Sequence, residues 1–181
     1  MQRMAEFSKV SYEIFKNDWL DAFPALAEGM NKNEVDKHIR DIYNSIKLPK
    51  RATMQSAGYD FYSPISFKLK PGESIKIPTG IRCEMYDGWV LMLFPRSGHG
   101  FKYGISMANT VGIIDGDFFE ADNEGNIHVK LTNDSCLAKK VKIDAGTAFC
   151  QGVFVPFGIT LDDTVTEKRN GGLGSTDIKG H

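Results

Sequence analysis

Apolar residues along the chain change their spacing near residue 50. Before that point Ile14, Phe15, Trp19, Leu20 and Phe23 recur at helical intervals. After Pro24 and Gly29 a second series, Val35, Ile39, Ile42 and Ile46, falls on one helical face. Asn31 followed three residues later by Glu34 has the form of a capping box, and Pro49 lies just past the second helix. The pattern predicts two amphipathic helices whose apolar sides cover the main body. Recruitment of a partner protein is the alternative use of such a stripe.

From Arg51 onward the apolar runs are short and broken by turn residues, the signature of an all-β sandwich or barrel. Strands are predicted over residues 61–67, 74–77, 80–84, 89–94, 104–108, 127–132 and 148–155. Breakers fall at Pro71-Gly72, Asp87-Gly88, 98–100, 122–125 and 144–146. Residues 169–181 are rich in glycine and small polar residues and read as a mobile tail. The expected organisation is a helical extension over 1–47, a β domain over 48–168 and a glycine-rich tail over 169–181. No internal repeat or coiled-coil heptad is visible.

The apolar run 111–114 ends abruptly at Asp115 and Asp117, which flank Gly116 and precede Phe118. The Asp-Gly pair predicts a β-hairpin turn, in which the acids serve only as turn formers. The same arrangement, an apolar strand with an acid-bearing end and an aromatic ring, also suits a reaction site.

A length of 181 residues fits one domain with an appendage, given roughly 100–200 residues per domain. With 22 basic and 23 acidic residues the net charge is -1, so no global basic field announces nucleic-acid or membrane binding, and any anion site must be local. Cys83, Cys136 and Cys150 form no C-x-x-C pair, and none has a histidine at metal-ligand spacing. A reducing cytoplasm is the compartment this predicts. The start of the chain lacks a signal-peptide pattern, and no apolar run is long enough to span a bilayer.

Four further stretches carry groups suited to a polyphosphate. In Ala57-Gly58-Tyr59-Asp60 the glycine permits a close approach, and the acid can serve as a cap, an ion-pair partner or a support for a metal's water shell. Pro95-Arg96-Ser97-Gly98 puts a cation and a hydroxyl on a turn with unpaired backbone N–H groups. Gln151 stands in a strand of otherwise apolar or small residues, and a buried amide must find a hydrogen-bond partner in protein or ligand. Arg169-Asn170-Gly171-Gly172-Leu173-Gly174-Ser175-Thr176 combines a cation, hydroxyls and glycines able to wrap phosphate; a plain flexible tail is the other reading.

Taken in order, A-G-Y-D, P-R-S-G, N-T-V-G-I-I-D-G-D-F, G-T-A-F-C-Q and R-N-G-G-L-G-S-T resemble the five motifs of the trimeric dUTP diphosphatase (dUTPase) family. The likeness extends over about residues 48–176, including the connecting L-P-K-R-A-T and T-G-I-R. It implies a jelly-roll-like β fold, a homotrimer, and sites at subunit interfaces. The first, second and fourth motifs would come from one chain, the third from a neighbour and the fifth from the remaining one. The reaction implied is hydrolysis of dUTP to dUMP and pyrophosphate with Mg²⁺ as cofactor.

By the same resemblance Asp115 would hold and deprotonate the attacking water. Ser97 would donate to the bridge between the α- and β-phosphates, Arg96 would fix the acidic site electrostatically, and Gly98 would line the phosphates. Asp60 would support the shell of a Mg²⁺ bound through water. Gln151 would donate to phosphate. Arg169, Ser175 and Thr176, with Gly174 between, would clamp the γ end as the tail closes as a lid. Asn109 and backbone groups of the hairpin, among them Gly112 and Ile114, would read the uracil edge, Phe118 would lie against the deoxyribose, and Leu173 would cover the base.

The chain departs from the family pattern in four places. Phe118 replaces a usual tyrosine, Leu173 a usual phenylalanine and Ala148 a common arginine, and the loop over 119–126 is longer than in the short form. That loop and the N-terminal helices are the candidate surfaces for a protein partner. His99 reads as a polar turn residue. A deaminase acting on dCTP, related in fold, is the rival enzyme, and a dUTPase with an added regulatory binding role is the rival of another class. The acid in I-I-D-G-D-F favours attack by water on phosphorus.

Overall fold

The computed structural model describes residues 2–135, 139–167 and 169. The chain opens with a strand, β1 (Ala5–Lys9), followed by helix α1 (Tyr12–Ala22), a 3-10 turn (Pro24–Ala27) and helix α2 (Lys32–Ser45). Ser11 caps α1 by accepting from the Ile14 N–H, and α1 stops just before Pro24, whose ring disfavours helical backbone in the preceding residue. At α2 the capping box is complete. The Asn31 side chain accepts from the N–H groups of Asn33 and Glu34, and Glu34 accepts from the Asn31 N–H at 2.9 Å.

Body strands follow as β2 (Lys50–Arg51), β3 (Tyr59–Tyr62), β4 (Phe67–Leu69), β5 (Ser74–Pro78), β6 (Ile81–Met85) and β7 (Trp89–Pro95). Helix α3 (Ser97–Tyr103) precedes β8 (Ile105–Met107), β9 (Gly112–Ile114), β10 (His128–Asn133), β11 (Val141–Ile143) and β12 (Ala148–Pro156). The largest sheet has the order β2-β3-β12-β7-β9; the others are β5-β10-β8, β11-β4 and β1-β6. All the pairings are antiparallel. The body is therefore all-β, as expected.

One hydrophobic core runs through both parts, joining Phe15, Trp19, Val35, Ile39, Ile42 and Ile46 of the extension to Phe61, Ile77, Leu91, Leu131 and Phe149 of the body. The helices seat on Gly80, which has a φ of 70°; a Cβ there would lie 2.5 Å from Ile46 Cδ1 and 3.0 Å from the Phe15 ring. Between the helices, Asp36 accepts from the Tyr12 hydroxyl (2.8 Å) and from Lys16 Nζ (2.6 Å).

The structure corrects several sequence expectations. The first residues are not wholly helical, because β1 pairs along β6, with Ala5 opposite Met85 and Lys9 opposite Ile81. The strand expected over 61–67 is split into β3 and β4 around Ser63-Pro64, where proline offers no N–H to a ladder. Gly98 and Gly100 lie inside α3 rather than breaking the chain; the helix ends at Gly104, in the left-handed conformation at φ 62°. Strands β2 and β11 are additional to those expected.

The Asp115-Gly116 pair does not make a hairpin turn. Asp115 instead begins a 3-10 turn (Gly116–Glu120), and Gly116 lacks the positive φ that a two-residue hairpin would need. The reason is tertiary: β9 pairs with β7, whereas β10 is drawn to β5 and β8, so the chain must travel between sheets.

Candidate active site

Strand β9 is held against β7, with Leu91 opposite Ile114 and Leu93 opposite Gly112. Gly112 lets the strands approach closely, since a Cβ would come within 3.1 Å of Leu93 Cβ and Leu93 would have to give way. Ile114 is buried, and the chain then delivers Asp115 at the end of the strand with its side chain 49% exposed. Arg169 donates from Nη2 to Asp115 Oδ2 at 2.6 Å. Its Nε lies 3.2 Å from Asp117 Oδ1, a charge contact that lacks hydrogen-bond alignment. Both contacts are made within one chain.

Phe118 is buried rather than displayed as an open aromatic face, and the Arg169 guanidinium carbon lies 5.5 Å from its ring centre. On the other side of β9, Asn109 is exposed and Thr110 takes the left-handed conformation (φ 65°), with the Val111 N–H donating to Asn109 O at 2.7 Å. A β-branched residue is strained there.

A second group of predicted residues gathers at the start of α3. Arg96 is the N-cap residue, followed by Ser97 and Gly98, so the helix's first N–H groups, which have no intrahelical acceptor, lie at this spot. Arg96 Nε is 3.1 Å from Asp60 Oδ1 on β3, and Asp60 is 16% exposed. Gln151 on β12 is paired with both Asp60 and Phe94, and its Nε2 donates to Pro95 O at 3.2 Å. A Cβ on Gly58 would lie 2.6 Å from Gln151 Oε1, so a larger residue beside Tyr59 and Asp60 would push the Gln151 amide aside. A cavity of about 520 Å³ opens here, lined by Arg96, Ser97, Phe101 and Gln151 among others, but not by Asp115 or Asn109.

The predicted residues thus form two clusters in one chain: Arg96, Ser97 and Gln151 lining the cavity, with Asp60 paired to Arg96 and Gly98 next to Ser97 in α3, and Asn109, Gly112, Ile114, Asp115 and Phe118 along β9 and its ends, with Arg169 on Asp115. Leu173, Gly174, Ser175 and Thr176 lie outside the described residues, as do Cys136 and the rest of the tail. Among the described residues no group of three or more His, Cys, Asp or Glu could hold a metal ion, and no helix is long and apolar enough to cross a membrane.

His99, read from the sequence as a turn residue, lies within α3 and is partly buried. Burial lowers its pKa, opposed by a hydrogen bond with the Phe149 backbone, and its Nδ1 has no partner among the described residues. The thiols of Cys83 and Cys150 are buried, and burial pushes Cys83 up to about 12.

The dUTPase family model matches residues 44–177. The deoxyuridine 5'-triphosphate nucleotidohydrolase of Lactococcus lactis subsp. lactis (strain IL1403) is 40% identical over 134 residues, covering 72% of this chain and 88% of that protein. The crystal structure of dUTPase from Streptococcus mutans shares 37% identity at a TM-score of 0.57, covering 65% of this chain and 90% of that one. The Staphylococcus bacteriophage 80alpha dUTPase with dUPNHPP has the same fold at a TM-score of 0.60 and 19% identity, covering 92% of this chain and 90% of that one.

Proposed function

The chain belongs to the dUTPase family and is a dUTP diphosphatase, hydrolysing dUTP to dUMP and pyrophosphate; we propose that water attacks the α-phosphorus in a site shared between the subunits of a homotrimer. The observation that carries this reading is the separation of the two clusters. Arg96, Ser97 and Gln151, the residues proposed to meet phosphate, line one cavity that Asp115 of the same chain does not line, so a site uniting them would draw them from different copies. Phe157, Ile159, Leu161 and Val165, exposed along the segment after β12, supply apolar surface for such an association.

In this mechanism Asp115 orients the water and takes its proton. Ser97 donates to the oxygen bridging the α- and β-phosphates, where leaving-group charge develops. Arg96, aimed by Asp60, adds positive charge beside it, and Gln151 donates to phosphate. The Arg169 guanidinium exchanges its carboxylate partners for the γ-phosphate, freeing Asp115, with Gly174, Ser175 and Thr176 closing over the same end. Asn109 and backbone groups at Gly112 and Ile114 read the uracil edge, Leu173 covers the base, and Phe118 packs against the sugar.

The described residues suit a Mg²⁺ ion carried in by the triphosphate. They offer no cage of acidic ligands, and Mg²⁺ characteristically keeps several waters while binding substrate phosphates. Asp60 would hold those waters. The ion would neutralise phosphate charge when bound.

A pyrophosphate-release assay across the deoxynucleoside triphosphates, with and without Mg²⁺, tests the chemistry, and light scattering tests the trimer. The expected outcome is Mg²⁺-dependent release from dUTP alone by a particle three times the chain mass. Ammonia release from dCTP, or full activity from a monomer, overturns the mechanism.

A further inference from the structure

Residues 1–43 of the N-terminal extension lie outside the matched family region, yet they are bonded to the segment that follows Asp115. A run of backbone hydrogen bonds advances three residues at a time from the acid: Phe118 N–H to Asp115 O (3.2 Å), Ala121 N–H to Phe118 O (3.1 Å) and Glu124 N–H to Ala121 O (2.7 Å). It ends at the Glu124 carboxylate, which accepts from the Ser11 N–H at 2.7 Å, at the entry to α1.

Other contacts fix the same path. Glu124 takes the left-handed conformation (φ 54°), and Gly125 presses on the preceding turn so closely that a Cβ would lie 2.6 Å from Phe118 O. Arg82 donates to Phe119 O at 2.6 Å and stacks 3.5 Å from that residue's ring centre. Asp18 of α1 accepts from Asn126 at 2.6 Å and lies 2.9 Å from His128 Nε2, while the fully buried Asn126 accepts from the Gly80 N–H on which the helices seat. The two surfaces that the sequence offers to a partner protein are thus bonded to each other.

We propose that Glu124 is a positioning residue for the nucleotide site. By tying the 119–126 loop to the start of α1, it fixes the turn that carries Asp115 and Phe118, and so contributes to selection of deoxyribose over ribose. The inference rests on the reading of Phe118 as the residue packed against the sugar. A wall that rejects one added hydroxyl discriminates only while it is held in place, and the loop behind Phe118 has its outer anchor at the Glu124–Ser11 bond.

The experiment compares kcat/KM for dUTP and UTP in Glu124→Ala, which removes the acceptor together with its 4.0 Å charge contact to Arg82, and in Ser11→Pro, which removes the donor. Ser11 has a φ of -61°, near the value proline imposes. Both variants are expected to lose roughly tenfold of the dUTP-over-UTP preference, and combining them should add little to Glu124→Ala, which already breaks the bond that Ser11→Pro removes. Glu124→Gln, which keeps an acceptor for the Ser11 N–H, should retain it. Preferences within about threefold of the unaltered enzyme, in Glu124→Ala and Ser11→Pro proteins whose melting curves show them folded, overturn the proposal even if their stability falls. If the unaltered enzyme itself does not prefer dUTP to UTP, the reading of Phe118 fails instead.

Discussion

Asp115 is engaged by Arg169 of its own chain, with 2.6 Å between Nη2 and Oδ2, so the proposed base is paired with a cation within the chain. Asp115→Asn keeps a carbonyl oxygen for that bond and changes little in shape, but an amide cannot take a proton from water. Turnover is expected to fall by at least ~100-fold with dUTP affinity nearly unchanged. Pyrophosphate release and equilibrium titration of the variant check the two halves separately, and near-normal release would remove Asp115 from the role.

Arg169 has two expected roles, in the pair with Asp115 and on the phosphate. Asp115 is about half exposed, so the pair itself should contribute only about 0–1 kcal/mol to stability. Arg169→Ala is therefore expected to leave the melting temperature nearly unchanged while raising KM for dUTP by roughly tenfold through loss of a charge-assisted phosphate contact. A large fall in melting temperature with an unchanged KM would make the contact structural.

Asp60 lies between two expected partners, the Arg96 guanidinium at 3.1 Å and the water shell of the metal. Asp60→Asn should raise the Mg²⁺ concentration needed for half-maximal rate by about tenfold, in the range found for groups that orient a metal's ligands. Titration of Mg²⁺ at saturating dUTP measures it, and chelation should abolish turnover in both proteins. An unchanged Mg²⁺ dependence would leave Asp60 only as the aligner of Arg96.

Local signals account for much of this fold. The capping box at Asn31 and Glu34, the apolar face of α2 and most of the body strands were legible because each depends on residues within a turn or a strand. What was hidden depended on distant partners. Strand β1 exists by virtue of β6, far along the chain, and Asp115-Gly116 leaves its hairpin because β10 pairs elsewhere. Helix α3 buries no residue, so it had no apolar stripe to read. At the site, residue types and order singled out Asp60, Arg96, Ser97 and Gln151, which the fold brings together, whereas Arg169 on Asp115 in one chain, and Glu124 on Ser11, join segments whose contact no spacing encodes.

Gly80 supports the docking of the helices. Alanine there would combine strain at φ 70° with a Cβ 2.5 Å from Ile46 Cδ1, whereas Gly88, at φ 80°, has open space around it. Gly80→Ala is expected to cost about 2–4 kcal/mol in denaturant unfolding and Gly88→Ala only about 1 kcal/mol. Equal losses would mean that backbone strain alone, and not the packing of Ile46 and Phe15, makes glycine necessary.

The clamp between the helices should also respond to acid. Hydrogen bonds from Lys16 and then Tyr12 hold the Asp36 carboxyl at about 2, below its ordinary value of 3.8. Burial foremost, with Asp36 next, pushes the Tyr12 phenol up to about 12, so it remains a donor at any pH near neutral. Because the folded value of Asp36 is depressed, its contribution to stability is fully present above 3.8 and is lost as pH falls toward about 2. Asp36→Asn should be less stable than the unaltered protein at neutral pH, and the gap should close through that acid window. Urea unfolding followed by tryptophan fluorescence, to which Trp19, buried on α1, and Trp89 both contribute, measures the difference at each pH. A gap that stays constant from neutral pH down to about 2 would show that the carboxylate charge does not hold the two helices together.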